Sequence, residues 1–147
     1  GKGEMKDWRN EMQVLPIGKG KKLRDGDDIA VLSIGPIGNE VIKAIEMVKE
    51  EGVSIAHYDM IYLKPLDEEL LHEIGQKYNR IITVENGVIK GGFGSAVLEF
   101  MADNGYTPHV KRIGVPDAFI EHGSIPELYQ LCGMDAESIA KQLKKEN

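Results

Sequence analysis

An α/β domain built on a mostly parallel sheet, with helices on both faces, is the fold class this sequence predicts. Three observations predict it. Short, nearly uninterrupted apolar runs recur, as in Asp28-Ile29-Ala30-Val31-Leu32-Ser33-Ile34, and such runs suit strands covered on both faces. Longer amphipathic stretches at helical spacing separate them. The connections are long enough to hold a helix, which returns the next strand parallel to the last.

The elements follow in order. Residues 18–23 predict an edge strand leading into a turn at Asp25-Gly26. Residues 28–34 are the first core strand, ended by Gly35-Pro36. Val41, Ile42, Ile45 and Val48 then mark one helix face, with Glu40, Lys43, Glu46, Lys49 and Glu50 opposite, and Gly52 is placed to end the helix in a left-handed turn. Residues 53–59 predict a second core strand. Asp67 suits a helix N-cap, with Glu68 and Glu69 complementing the dipole and Leu70, Leu71, Ile74 and Tyr78 forming the buried stripe. A strand over 80–85, a glycine-rich loop, a helix marked by Val97, Leu98 and Met101, and a strand over 109–114 come next. Short helices near 125–131 and 136–145 close the chain. Residues 1–13 are mostly polar and read as a linker or tail, leaving 14–147 as the domain.

Composition narrows the function. With 147 residues, 41% of them apolar, the chain holds one domain with enough core to offset ordering entropy. No apolar run approaches the ~20 residues a membrane span requires, so no membrane partner is expected. Eighteen basic against twenty-four acidic residues leave a net charge of −6, which offers nucleic acid no general attraction. Cys132 is alone, excluding an internal disulfide and a cysteine-based zinc site. No charged-then-apolar leader opens the sequence, so a reducing, cytoplasmic setting is expected.

Two loops could carry chemistry. The segment from Glu85 through Gly91, Gly92, Gly94 and Ser95 lies between a strand end and a helix start, where open α/β sheets bind ligands. Its glycines would permit close backbone approach, and Ser95 could cap a helix whose N-terminus favours anions. Neither a dinucleotide fingerprint nor a Walker lysine is present, so tight packing of the helix weighs more than a phosphate cradle. The second loop, Asp117-Ala118-Phe119-Ile120-Glu121-His122-Gly123, offers carboxylates and an imidazole for acid–base work. A histidine beside glycine at a strand end is more often a loop anchor. Among the remaining histidines, His57 falls in a strand, His72 among polar residues on a solvated helix face, and His109 at a strand start. None has a partner at metal-ligand spacing. The Lys19, Lys21, Lys22 and Arg24 cluster reads as a solvated turn. No catalytic, cofactor-binding or metal-binding residue is assigned, which fits a domain that assists chemistry assembled elsewhere.

Several strings share one resemblance. In order they are Leu15-Pro16-Ile17-Gly18-Lys19-Gly20, Lys64-Pro65-Leu66-Asp67, Thr83-Val84-Glu85, Gly91-Gly92-Phe93-Gly94-Ser95, and Pro116-Asp117-Ala118-Phe119-Ile120-Glu121-His122-Gly123. Together they resemble the C-terminal, third domain of the 1-deoxy-D-xylulose-5-phosphate synthases, a family of transketolase-like thiamine diphosphate enzymes. The second and fourth strings recur across transketolase-like enzymes and two-oxo-acid dehydrogenases; the first and last narrow the choice. Two positions depart from the pattern. Ile61 stands where the family usually has arginine, and Asn86 where many members have glutamate.

The resemblance implies a three-layer α/β/α sandwich with a mostly parallel five-stranded sheet. It also implies a parent enzyme that condenses pyruvate with D-glyceraldehyde 3-phosphate, releasing carbon dioxide. The product feeds isoprenoid, thiamine and pyridoxal-phosphate synthesis. Thiamine diphosphate and magnesium would be bound by the parent's other domains and not by this chain, and the parent would be a homodimer. Gly1 matches the glycine of a family Tyr-Pro-Arg-Gly segment whose arginine binds substrate phosphate, which would put that arginine outside this chain. On this expectation the chain alone is inactive, and Glu85, Gly91, Gly92, Gly94, Ser95, Asp117 and His122 form an inter-domain or anion-contact loop. The rival expectations are the C-terminal domain of another enzyme of that wider group, or a stand-alone anion- or nucleotide-binding module.

Overall fold

The computed structural model describes residues 17–88, 92–115 and 125–144. Among them, one sheet holds strands β1 (Lys21–Arg24), β2 (Ile29–Ile34), β3 (Ile55–Asp59), β4 (Arg80–Val88) and β5 (His109–Val115). Its order is β1-β3-β2-β4-β5. Only β1 runs antiparallel; the pairings of β2 with β3, β2 with β4 and β4 with β5 are parallel. The helices are α1 (Gly38–Val48), α2 (Glu68–Lys77), α3 (Phe93–Asp103), α4 (Ile125–Leu131) and α5 (Ala136–Leu143).

Side chains alternate across β2, and this builds two cores. Ile29 and Val31 pack under α1 and α5 with Val41, Ala44, Val48, Ile139 and Leu143. Ala30 and Leu32 face the other way, toward Leu71 and Ile74 of α2 and Phe93, Val97 and Met101 of α3. A strand flanked by helix layers on both sides has no wet face, which is why its sequence reads as a continuous apolar run. The architecture is the expected three-layer sandwich.

Several boundaries and faces differ from expectation. The edge strand begins at Lys21, and β4 runs to Val88, three residues past the expected end. Ile42 is 48% exposed and Leu98 40% exposed, so both lie on helix flanks and not in the buried stripes. At 100° per residue Ile42 sits well away from the centre of the Val41, Ala44, Ile45 and Val48 stripe. Asp67 caps α2 as expected, accepting from the Leu70 amide at 3.1 Å. Its second oxygen accepts from the Gly20 amide at 2.9 Å and thereby ties α2 to the start of β1. Close approach explains two glycines here. A Cβ on Gly18 would stand 2.9 Å from Pro65 Cγ, and one on Gly20 would stand 3.0 Å from a Leu70 methyl. The first two family-marking strings therefore lock onto each other.

His57 occupies the β3 position that pairs with Val31, beneath α1, and is 1% exposed. Its Nε2 lies 2.8 Å from Ser33 Oγ. Burial pushes its pKa down from 6.5 to about 4, so the imidazole is neutral in the fold. As pH falls below 6.5 the unfolded chain takes up a proton that the folded chain refuses until about pH 4. Stability is therefore whole above pH 6.5 and falls across that window, by at most about 3 kcal/mol. Urea midpoints measured from pH 7 to pH 4 should carry this slope, and the His57→Asn variant should lack it.

Candidate functional site

Chain direction singles out one edge of the sheet. The connection from β2 leaves toward β3, whereas that from β4 leaves toward β5 on the other side. The crevice between the carboxyl ends of β2 and β4 is thus the topological switch point, where open α/β sheets bind ligands. Residues 35–37 and 85–87 border it.

Glu85 fills one wall. It sits at the end of β4's parallel register with β2, 3% exposed, with its side chain on the α3 face. Its Oε1 accepts from the Phe93 amide at 2.9 Å and its Oε2 from the Gly94 amide at 2.7 Å. A buried carboxylate thus caps α3 from eight residues upstream, and it satisfies two of the amides that open the helix. Burial pushes the Glu85 pKa up, and the two amides and Arg112 oppose that shift. Ser95 is not the cap. Gly92 holds the N-cap position in extended conformation, and Ser95 Oγ accepts from Arg112 at 3.0 Å.

Asn86 fills the other wall. Its Oδ1 accepts from the Ile37 amide at 2.9 Å, and its Nδ2 donates to the Tyr129 hydroxyl of α4. Gly35 has a φ of +87°, and Asn86 Oδ1 stands 3.2 Å from where a Cβ would lie. The amides of Gly38, Asn39 and Glu40 turn back onto the carbonyls of Gly35, Pro36 and Ile37. The amides of Ile37, Gly38, Asn39 and Glu40 at one helix start, and of Phe93 and Gly94 at the other, are thus engaged by the chain itself. Glu85 also places a carboxyl group there, which suits neither a diphosphate nor another anion.

Gly94 belongs to the packing of α3. A Cβ on it would stand 2.6 Å from Thr83 Oγ1 and 3.0 Å from Arg112 Cγ. Gly94→Ala should therefore cost about 1–3 kcal/mol in urea unfolding, and Thr83→Ala should recover part of that loss by opening space.

The remaining expected residues scatter or fall outside view. Gly91, Asp117 and His122 lie outside the described residues, as do Glu121 and Ser124. His72 is half-buried, a correction to its expected place on a solvated face. Its Nδ1 lies 2.7 Å from the Tyr106 hydroxyl, and its ring meets Phe100 edge-on at 4.9 Å. The basic cluster at β1 forms exposed ion pairs, Lys19 with Glu69 and Lys22 with Asp25. Among the described residues no three His, Cys, Asp or Glu side chains converge as metal ligands. None of the described helices is long and apolar enough to cross a membrane. Sequence reasoning missed Glu85 as a cap and Asn86 as a latch. The available signal was a helix start at Gly92-Phe93 that lacks its own Ser, Thr, Asp or Asn cap beside a lone strand-end acid.

Fold and site together define an α/β domain in which Glu85 and Asn86 engage amides on the two sides of the switch point. Residues 18–139 match the family described as transketolase, C-terminal domain, and the chain belongs to that family. It is 99% identical over 147 residues to a 1-deoxy-D-xylulose-5-phosphate synthase of Parabacteroides distasonis, covering 100% of this chain and 23% of that protein. A synthase of the same description from Bacteroides fragilis is 58% identical over 146 residues, covering 99% of this chain and 22% of that protein. The chain thus spans about a quarter of the length of the curated relatives it matches. Among solved structures, a split-gene transketolase described as an inactive β4 tetramer superposes with a TM-score of 0.77. That pair is 31% identical, and the match covers 89% of this chain and 45% of the other. A transketolase from Campylobacter jejuni shares the fold at 13% identity and a TM-score of 0.59, covering 85% of this chain and 18% of the other.

Proposed function

We propose that this chain is the C-terminal domain of a 1-deoxy-D-xylulose-5-phosphate synthase and serves as its scaffold and contact surface. The parent joins pyruvate to D-glyceraldehyde 3-phosphate with loss of carbon dioxide. The observation that carries this reading is the 99% identity over all 147 residues with part of the Parabacteroides distasonis synthase. Decarboxylating a 2-oxo acid requires an electron sink, which thiamine diphosphate supplies. The described residues do not fit that group, because Glu85 and Asn86 occupy the amides a diphosphate would need. On this reading thiamine diphosphate and magnesium are held by the rest of the polypeptide.

The work of this chain is positional. Glu85 and Asn86 hold the loops at the carboxyl edge of the sheet in one arrangement, and Asp67 fixes the loop after β3. The segments bearing Glu85, Gly91, Gly92, Gly94, Ser95, Asp117 and His122 form the inter-domain contact. The parent acts as a homodimer in the cytoplasm. A split-gene transketolase β4 tetramer described as inactive supports the view that such a domain needs further polypeptide for turnover.

Carbon dioxide release from pyruvate, assayed with D-glyceraldehyde 3-phosphate, thiamine diphosphate and magnesium, tests the reading. The full-length Parabacteroides distasonis protein should turn over, and the 147-residue chain should not. Turnover by the chain alone would overturn the proposal.

A further inference from the structure

We propose that the cavity between β1, β3 and α1 binds a small monocarboxylate with an apolar tail, its carboxylate held by Arg24 and the His57 imidazole. Six side chains line this cavity of about 340 Å³: Leu23 and Arg24 from β1, Ile42, Ile45 and Glu46 from α1, and His57 from β3. The volume lies at the lower end of the ~300–1,000 Å³ that small-molecule sites occupy. The cavity sits toward the β1 edge of the sheet, away from the switch point between β2 and β4.

Its walls are apolar. Ile45 is buried, whereas Leu23 and Ile42 are 43% and 48% exposed and flank the opening. Leu23 is the apolar residue of an otherwise cationic strand, Lys21-Lys22-Leu23-Arg24, and Ile42 lies off the buried stripe of α1. A ligand tail laid between them would take apolar surface out of water.

His57 supplies a polar floor. It is 1% exposed and borders the cavity, with its Nε2 2.8 Å from Ser33 Oγ. In the proposed complex the Ser33 hydroxyl donates to Nε2, so the ring proton sits on Nδ1 and is offered to the ligand. Burial keeps the imidazole neutral at pH 7, and the attraction for an anion therefore comes from Arg24.

Arg24 stands at the rim in a loose ion pair. Its Nη1 is 3.9 Å from Glu46 Oε1, too long for a hydrogen bond, and Glu46 Oε2 lies 3.2 Å from Lys49 Nζ. A guanidinium so held can present a fork of donors to an incoming carboxylate. The same groups select the occupant. Arg24 disfavours a cation, the apolar walls disfavour inorganic phosphate, and a neutral ligand would leave the guanidinium unused. Glu46 repels the carboxylate, which fixes the sign of one test.

Titration of the 147-residue chain with hydrocinnamate at pH 7, followed by NMR of the Ile42 δ-methyl and the histidine rings, tests the proposal. Ile42 and His57 should shift along one saturable curve, with the ring proton on Nδ1, while His72 and His109 stay still. The uncharged hydrocinnamamide should bind about tenfold or more weakly. Arg24→Gln should weaken hydrocinnamate binding about tenfold, whereas Glu46→Gln should tighten it about threefold by removing the repulsion. Ile42→Trp, which fills the opening, should abolish binding while a dispersed spectrum reports an intact fold. No saturable shift at Ile42 and His57, a ring proton on Nε2, equal binding of acid and amide, or looser binding by Glu46→Gln would overturn the proposal.

Discussion

Gly26→Ala should lower the stability of this domain by about 3 kcal/mol or more, the largest effect expected of a single methyl group here. A Cβ at that position would stand 2.2 Å from the Ile55 carbonyl carbon and 2.3 Å from the Ala56 nitrogen. Both are backbone atoms of a central strand, so no rotamer change relieves the overlap. The turn is also pinned from three directions. Tyr78 donates its hydroxyl to the Gly26 carbonyl at 2.5 Å, the Asp27 amide donates to Ser54 Oγ, and the Asp28 amide donates to the Ser54 carbonyl. Moving it away from β3 would break all three. Gly52→Ala is the informative comparison. Gly52 has a φ of +76° and nothing within 4 Å of its would-be Cβ, so only the left-handed backbone penalty applies, about 1–2 kcal/mol. Urea unfolding of the two variants should separate close approach from backbone conformation.

Glu85→Ala should cost about 2–4 kcal/mol, because it strands two buried amides at once. Phe93 is 1% exposed and Gly94 is buried, so water does not readily replace the lost carboxylate. Glu85→Gln should fall between wild type and alanine. A carboxamide offers one acceptor oxygen, and its NH₂ group faces the second amide as donor against donor. Protection of the Phe93 and Gly94 amides against exchange should fall in the same order. If Glu85→Ala proved neutral, the helix would be capped by something other than this carboxylate.

How far these features could be read from sequence depends on the range of the forces behind them. The run over 28–34 was legible because both faces of β2 are dry, and Asp67 was legible because an N-cap is a local event spanning three residues. The helix flanks were not. Ile42 and Leu98 carry apolar side chains into solvent, and apolar identity alone does not set which way a helix turns. Asn86 and Gly87 read as loop, yet they fall within β4, at the irregularity between the pairings of Val84 and Val88 with β5. Glu85 was visible as a residue of interest, but its partners lie across a glycine-rich loop and its role is set by folding. His72 was misplaced for the same reason, since Tyr106 is 34 residues away.

The two departures gain physical content from their positions. Asn86 bridges the amide of Ile37 and the hydroxyl of Tyr129, so it joins the β2 turn, the end of β4 and α4. Ile61 sits at the carboxyl end of β3, at the same edge of the sheet. Both differences from the family pattern thus fall at the carboxyl edge of the sheet.

Calorimetric titration of the 147-residue chain with thiamine diphosphate and magnesium, and separately with inorganic phosphate, probes the closed crevice most directly. With Glu85 and Asn86 engaging the amides at the switch point, no saturable heat should appear at micromolar ligand. A saturable isotherm with a micromolar Kd, lost in a variant that perturbs the 85–94 segment, would mean that the crevice opens to ligand and that this domain does more than support chemistry housed elsewhere.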